Sequence, residues 1–323
     1  MSNNDLLSHI DRDPYFLPLE DLQKLIQQIL QQRGSKASNL ATLYDRIGNL
    51  YQNRLEKGEF QDYQKEQALA IEYFRKAIDL QKSLDLKADL TISLDNLAAF
   101  YNSQGSYTEA EPLYLQALEL RQSLLGNDHP DVVTSLNILA AFYESQERYS
   151  EAEPLYLQAL ELRQRLLGND HPDVATSLHN LASLYFWQER YSESEPLYLQ
   201  ALKLRQRLLG NDHPDVANTL HNLASLYLLE GRYSEAEPLY LQALELRQRL
   251  LGNDHPDVAT NLSNLASLYF WQKRYSEAET LYMQALELCE RVLGVNHFDT
   301  VRISKMLDNL RAAIASKNSP SLQ

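Results

Sequence analysis

The stretch Gly168-Asn169-Asp170-His171-Pro172-Asp173-Val174 stands also at Gly126, Gly210 and Gly252, and a degraded copy, G-V-N-H-F-D-T, begins at Gly294. Its histidines, His129, His171, His213, His255 and His297, are 42 residues apart. A fixed period of this length marks stacked supersecondary units, each contacting its neighbours in the chain. The unit between two copies, Pro172 to His213, reads as two helices. In the first, Val174, Leu178, Leu181, Ala182 and Tyr185 form one apolar stripe of a 3.6-residue helix, which has to be buried. In the second, Leu197, Tyr198, Ala201, Leu202, Leu204 and Leu208 continue that apolar face. Ser192-Glu193-Ser194-Glu195 has the pattern of a capping box at its start, with Pro196 in the first turn. Gly210 suits a left-handed helix end, and Pro214 the first position of the next helix.

Working outward, five such pairs are expected over residues 89–297, preceded by a divergent pair over 38–88 with L-Y-D-R-I-G-N-L-Y in its first helix and A-I-E-Y-F-R-K-A-I in its second. Single capping helices are expected at Leu19 to Gln32, within an N-terminal segment 1–37, and over 298–316. A disordered tail, 317–323, would follow. The fold class is all-α, a solenoid of antiparallel helix pairs with single helices at both ends.

Composition bounds the function. Apolar residues make up 44% of the chain, enough for a continuous core, and 10 Gly and 11 Pro leave little room for an all-β or disordered chain. A formal net charge of −14 opposes binding to phosphate backbones, so neither nucleic acid nor an anionic membrane is an expected partner. With Cys289 as the single cysteine, no intrachain disulfide or thiolate metal cage can form. No apolar run approaches the ~18 residues a membrane helix needs, and the start carries no basic-then-apolar leader, so the location expected is the cytoplasm.

The spacing L-x-x-L-A-x-x-Y followed by Y-x-x-A-x-x-x-Y-x-x-A-L resembles the tetratricopeptide repeat. The 42-residue form with G-x-D-H-P-D-V in its linker resembles the kinesin light chain subtype, strongly from Asp89 to about Thr300 and weakly from Ala41 to Leu84. The resemblance implies a right-handed superhelix whose concave wall, lined by the first helix of each pair, binds peptides. Kinesin light chains precede their repeats with a long motor-binding coiled coil, and no sustained heptad region stands before Leu40, so motor binding is not carried over. Similar repeats occur widely in bacterial proteins as interaction modules, the context favoured here. Family grooves use basic residues for acidic peptides, whereas the matching positions from Asp95 to Trp271 hold no Lys or Arg.

Among candidate sites, the linker histidines stand a helix pair apart, on the order of 10 Å, too far for one ion to bridge. Asp-His-Pro-Asp reads instead as a helix start, with Asp131, Asp173, Asp215 and Asp257 at the positive helix end. Glu161 with Arg165 and Glu245 with Arg249 read as exposed i, i+4 pairs, and Glu151 and Glu153 as capping carboxylates. Cys289 reads as a small packed residue. There is no phosphate loop, H-E-x-x-H, C-x-x-C or nucleophile elbow, so no enzyme, cofactor or metal is expected.

The first helices carry a second pattern. With Leu178 at the centre of the buried stripe, Thr176, Ser183, Trp187 and Asn180 lie about 160°, 140°, 180° and 200° away. The Asn180 slot recurs as Asn96, Asn222 and Asn264, with Ile138 and Arg46 breaking the series. His179 and His221 stand beside two of these amides, and Phe186-Trp187, Leu228-Leu229 and Phe270-Trp271 place apolar pairs at the far end of the same face. An asparagine can pair with both polar groups of a peptide backbone, and exposed apolar patches mark binding surfaces. These residues form the candidate peptide-binding groove. The alternative is that the phenylalanines, about 80° from the core centre, pack between adjacent helices and the asparagines tie one helix to the next. The function expected is a scaffold or adaptor that holds an extended peptide or helix of a partner protein. The rivals are a structural spacer assembling through its ends or convex face, and a regulatory subunit of a signalling complex.

Overall fold

The computed structural model describes residues 24, 27, 37–58, 60 and 62–318, and among them there is no strand. Among the described residues from 37 on, thirteen helices run α1 Ala37–Glu56, α2 Tyr63–Ser83, α3 Lys87–Ser103, α4 Tyr107–Leu125, α5 Pro130–Glu144, α6 Tyr149–Leu167, α7 Pro172–Trp187, α8 Tyr191–Leu209, α9 Pro214–Leu229, α10 Tyr233–Leu251, α11 Pro256–Trp271, α12 Tyr275–Val292 and α13 Phe298–Asn318. They succeed one another as antiparallel pairs, and α13 is unpaired. Contacts divide the chain into two compact units, residues 1–155 and 156–323, with the division inside α6. The expected helix at Leu19 to Gln32 lies outside the described residues but for two isolated positions, and 319–323 of the expected tail lie outside them too.

In the second unit the core consists of the stripes read from the sequence. Val174, Leu178, Leu181, Ala182 and Tyr185 of α7 are all buried, as are Tyr198, Ala201 and Leu204 of α8. Leu197 and Leu202 are half-buried, and Leu208, expected inside, is 38% exposed because it lies past the last turn that the first helix covers. One cluster of buried residues runs from Ala182 and Tyr198 through Tyr240, Leu265 and Tyr282 to Ile303, Leu307 and Leu310, so α13 closes the last pair with an apolar face of its own. Burial on this scale, about 25 cal/mol per Å² of apolar surface, is what holds helices this short in place.

The linkers are built as their residues demand. Each histidine of the Asp-His-Pro-Asp run that starts α7, α9 or α11 is the N-cap, its Nδ1 accepting the backbone N–H two residues on at 3.1–3.2 Å, with proline in the first turn. Gly210 ends α8 at φ 83°, ψ 167°, the mirror-extended region open only to glycine, rather than the left-handed helical conformation expected.

The second helices start differently from the sequence reading. α8 begins at Tyr191, and its N-cap, Arg190, makes no side-chain cap bond, so the Ser192–Glu195 capping box does not form. Ser194 instead donates to the Ala182 carbonyl at 2.7 Å. The glutamates serve arginines: Arg190 binds Glu193, and Arg232 binds Glu235 in its own helix and Glu195 one pair earlier, while lying 4.0 Å from the centre of the Tyr227 ring. Arg148 with Glu111, Glu151 and Tyr143, and Arg274 with Glu237, Glu277 and Tyr269, repeat that clamp. Glu151 is thus an arginine partner in the first turn rather than a capping-box residue. Arg249 likewise reaches Asp212 of the preceding linker rather than Glu245, because the helix end brings the linker carboxylate within its span.

Candidate functional site

The face of α7, α9 and α11 opposite the core splits each apolar pair. Phe186, Leu228 and Phe270 are half-buried and packed against the core, whereas Trp187, Leu229 and Trp271 are 60%, 57% and 59% exposed. Phe186 meets Trp187 edge-on at 5.3 Å, and Phe270 meets Trp271 at 5.5 Å, so each buried ring props up the exposed one. Between α7 and α9 this face opens into a cavity of about 450 Å³. Phe186, Trp187, Leu228 and Leu229 form its walls, with Tyr198, Tyr240, Ser183, Ser225, His221, Asn222 and Asn264 deeper in and Glu189 and Tyr191 also lining it.

Seven residues of the sequence-derived groove therefore meet at one cavity. The other five do not line it. Asn96 belongs to the first unit, where its amide donates to Asp45 Oδ2 at 3.0 Å, and Asn180, His179, Phe270 and Trp271 lie on the same helices outside the cavity lining. Ser183, Ser225, Tyr198, Tyr240, Tyr191 and Glu189 went unassigned, although Ser183 stood on the outward face. Tyr198 belongs to the apolar face read from the sequence, and only the fold shows that its counterpart Tyr240 holds its hydroxyl 2.8 Å from Ser225.

The asparagines are held from inside. Asn222 Nδ2 stands 3.2 Å from His179 Nε2, and Asn264 Nδ2 stands 3.0 Å from His221 Nε2. The second pair has a determined polarity. Asn261 donates its amide to the Tyr240 carbonyl at 2.8 Å, so its Oδ1 is left to accept, and His221 Nδ1–H donates to it at 2.6 Å, well inside the 3.4 Å at which the Arg247 guanidinium approaches the same nitrogen. His221 Nε2 is then the acceptor for Asn264. His221 is 8% exposed. Burial, with the Arg247 guanidinium beside it, pushes its pKa down to about 4, and burial with Arg205 pushes His179, which is less fully covered, to about 3. Both imidazoles are neutral at physiological pH.

Beneath this layer lies a row that the sequence reading passed over. Arg163, Arg205 and Arg247 stand 42 residues apart on the buried side of the second helices, with Arg205 4% and Arg247 7% exposed. Arg205 donates to the Asp215 carbonyl and Thr219, Arg247 to the Asp257 carbonyl, and Arg163 to the Asp173 carbonyl and Ser177, tying each second helix to the next first helix, while Arg247 also reaches Asn218 of its own pair. The signal was present: Tyr198, Ala201 and Arg205 fall at i, i+3 and i+7, which puts the guanidinium on the apolar stripe. Among the described residues no three His, Cys, Asp or Glu side chains converge as a metal site.

Tetratricopeptide repeats match over residues 89–163, 131–186, 173–249, 218–290 and 257–307. Similar solved structures include BtubC (BKLC) from P. vanneervenii, 26% identical over 69% of this chain and 91% of that one, with a TM-score of 0.61. A kinesin light chain-like protein of Podospora anserina with nearly identical TPR-like repeats is 27% identical over 62% of this chain and 94% of that one, with a TM-score of 0.52. PilF of Pseudomonas aeruginosa, 19% identical over 84% of this chain and 100% of its own, shares the fold at a TM-score of 0.50. No curated protein matches the chain in sequence. No helix among the described residues is long and apolar enough to cross a membrane.

Proposed function

The chain belongs to the tetratricopeptide repeat family, and from that premise we propose that it is a non-enzymatic cytoplasmic scaffold or adaptor that holds an extended or helical segment of a partner protein against its first-helix face. One observation carries this reading. Trp187, Leu229 and Trp271, three large apolar side chains at one helical register, are left more than half exposed on an otherwise polar face, beside a cavity floored by asparagine, serine and tyrosine. Exposed aromatics around a partly polar pocket have the make-up of an anchor site, in which a few buried contacts supply most of the affinity. The asparagines add backbone-directed hydrogen bonds that are indifferent to the partner's side chains. Asn180, Asn222 and Asn264 are assigned to that task, and Asn96 to the same register in the first unit. Phe186, Leu228 and Phe270 support the exposed anchors, and His179 and His221 act from behind by orienting asparagines.

A spacer reading has an observation of its own, since Leu157, Leu199 and Leu241 repeat at 44% exposure on the second helices and offer a ridge for assembly. The two readings separate on one double variant. Trp187→Ala with Trp271→Ala should weaken capture of bound protein by more than tenfold, the loss of an anchor worth ~2 kcal/mol. The melting temperature should stay near wild type, because core aromatics cost about 3–5 kcal/mol on truncation and these two are not core. Capture undiminished in the variant, or unfolding like that of a core mutant, would refute the groove reading and leave the spacer.

A further inference from the structure

We propose that the cavity between α7 and α9 selects a basic segment, in which a Lys or Arg of the partner sits beside the aliphatic or aromatic side chain that enters between Trp187 and Leu229. This rests on the groove reading above and adds the sign of charge that the groove prefers. Two features of the cavity carry it.

The first is the polarity of its hydrogen-bonding groups. Because Asn261 is committed to the Tyr240 carbonyl and His221 Nε2 is consequently an acceptor, the Asn264 amide nitrogen is drawn inward and its Oδ1 is left for a ligand. Asn222 also turns its Nδ2 to an imidazole, that of His179, whose Nδ1 has no hydrogen-bond partner. An amide held by its nitrogen presents a carbonyl acceptor, and such acceptors suit ammonium, guanidinium and backbone N–H donors.

The second is Glu189. It stands exposed in the tight turn between α7 and α8 and lines the cavity, and its carboxylate makes no hydrogen bond or ion pair among the described residues. Its neighbour Arg190 does not neutralise it. That guanidinium is taken up by Glu193 and Gln188, each at 2.7 Å, and lies 4.1 Å from the centre of the Tyr185 ring. The cavity lining contains no Lys or Arg. Arg205 and Arg247 are buried and point their N–H groups at the carbonyls of Asp215 and Asp257. The two histidines add no positive charge at neutral pH. A carboxylate at the rim of a cavity with no lining cation attracts a basic side chain, and the whole chain's charge of −14 acts in the same direction at longer range. The matching turn position holds Gly231 and Lys273 in the next two pairs and Glu147 in the pair before, so the two pairs that follow lack this carboxylate.

Panning a library of random displayed 12-residue peptides against the full chain, and against Glu189→Lys and Trp187→Ala variants, tests this. Wild type should enrich peptides with Lys or Arg within about three residues of a large apolar residue. Affinities measured by fluorescence anisotropy should fall roughly two- to fivefold in Glu189→Gln, the range of one exposed ion pair, and that difference from wild type should shrink as salt rises. Glu189→Lys should turn the enrichment toward Asp and Glu. Enrichment of apolar peptides that depends on Trp187 but is indifferent to charge, or favours acidic residues, overturns the basic-segment proposal while the groove reading stands. No enrichment, or enrichment that survives Trp187→Ala, overturns both.

Discussion

The imidazole of His221 should make the second unit acid-labile in a way that one substitution removes. In an unfolded chain the group titrates near its ordinary value of 6.5, whereas in the fold burial, reinforced by Arg247, holds it at about 4. The unfolded chain therefore binds more protons than the folded one below pH 6.5. Stability is fully present above that pH and is lost as pH falls toward 4. The displacement from 6.5 to about 4 corresponds to about 3.4 kcal/mol in full, of which about 2.5 kcal/mol is lost by pH 4.5. His221→Asn supplies the control, since an asparagine, Asn137, already occupies this register in the first unit. The variant should lose ~1 kcal/mol at pH 7.5 for the disturbed hydrogen bonds, yet lose less than wild type on going to pH 4.5. The chain's two tryptophans, Trp187 and Trp271, lie in the second unit on α7 and α11, so urea unfolding followed by tryptophan emission reads this unit directly. The difference between proteins in their pH 7.5 to 4.5 loss should be about 2 kcal/mol, with carboxylate titrations cancelling. Equal losses in the two proteins would refute the buried-imidazole argument.

Two further outcomes follow from the repeat geometry. Lys273 occupies the turn at φ 64°, where Gly105 and Gly231 hold the same position in other pairs, so Lys273→Gly should raise stability by about 0.5–1 kcal/mol in urea unfolding; a loss would show that the side chain is not strained there. Deleting residues 172–213, one full period, should leave a soluble helical protein with a cooperative circular-dichroism melt, because each pair contacts its neighbours in the chain and the join restores a similar interface; aggregation would contradict that modularity.

The all-α fold was legible because the information is local and repeated. Gly-x-x-His-Pro-Asp places a glycine-only conformation, a capping imidazole and a helix-starting proline within six residues, and the apolar spacing in between needs no partner to be read. The starts of the second helices were not legible. Serine and glutamate in the right order imitate a capping box, and only the position of Arg190 and Arg232 against neighbouring glutamates shows where those carboxylates go. The site divides in the same manner. The outward direction of Trp187 and Trp271 follows from 100° per residue, as does the inward lean of Phe186 and Phe270. The orientation of Asn264 depends on a chain of contacts through His221 and Asn261 to a carbonyl in α10, and no spacing within one helix encodes it.

The slot beneath the groove shows why a repeat can keep its frame while its chemistry changes. In register, 42 residues apart, the first helices carry Asp95, Asn137, His179, His221 and Ser263, and the second helices carry Arg121, Arg163, Arg205, Arg247 and Cys289. Asp95 and Arg121 form an ion pair at 2.6 Å. With histidine in place of aspartate the guanidinium keeps its carbonyl bonds and loses a carboxylate partner, which is tolerable because a neutral imidazole adds no like charge. In the last copy both groups become small: Ser263 turns its hydroxyl to the Thr260 carbonyl, and Cys289 is 2% exposed. Burial pushes that thiol's pKa up, which suppresses the thiolate and with it nucleophilic reactivity. The lone cysteine is therefore explained as the small residue that fills the place of an arginine where its polar partner has gone, and the asparagine of the same pair, Asn264, still takes its orientation from His221 in the copy before.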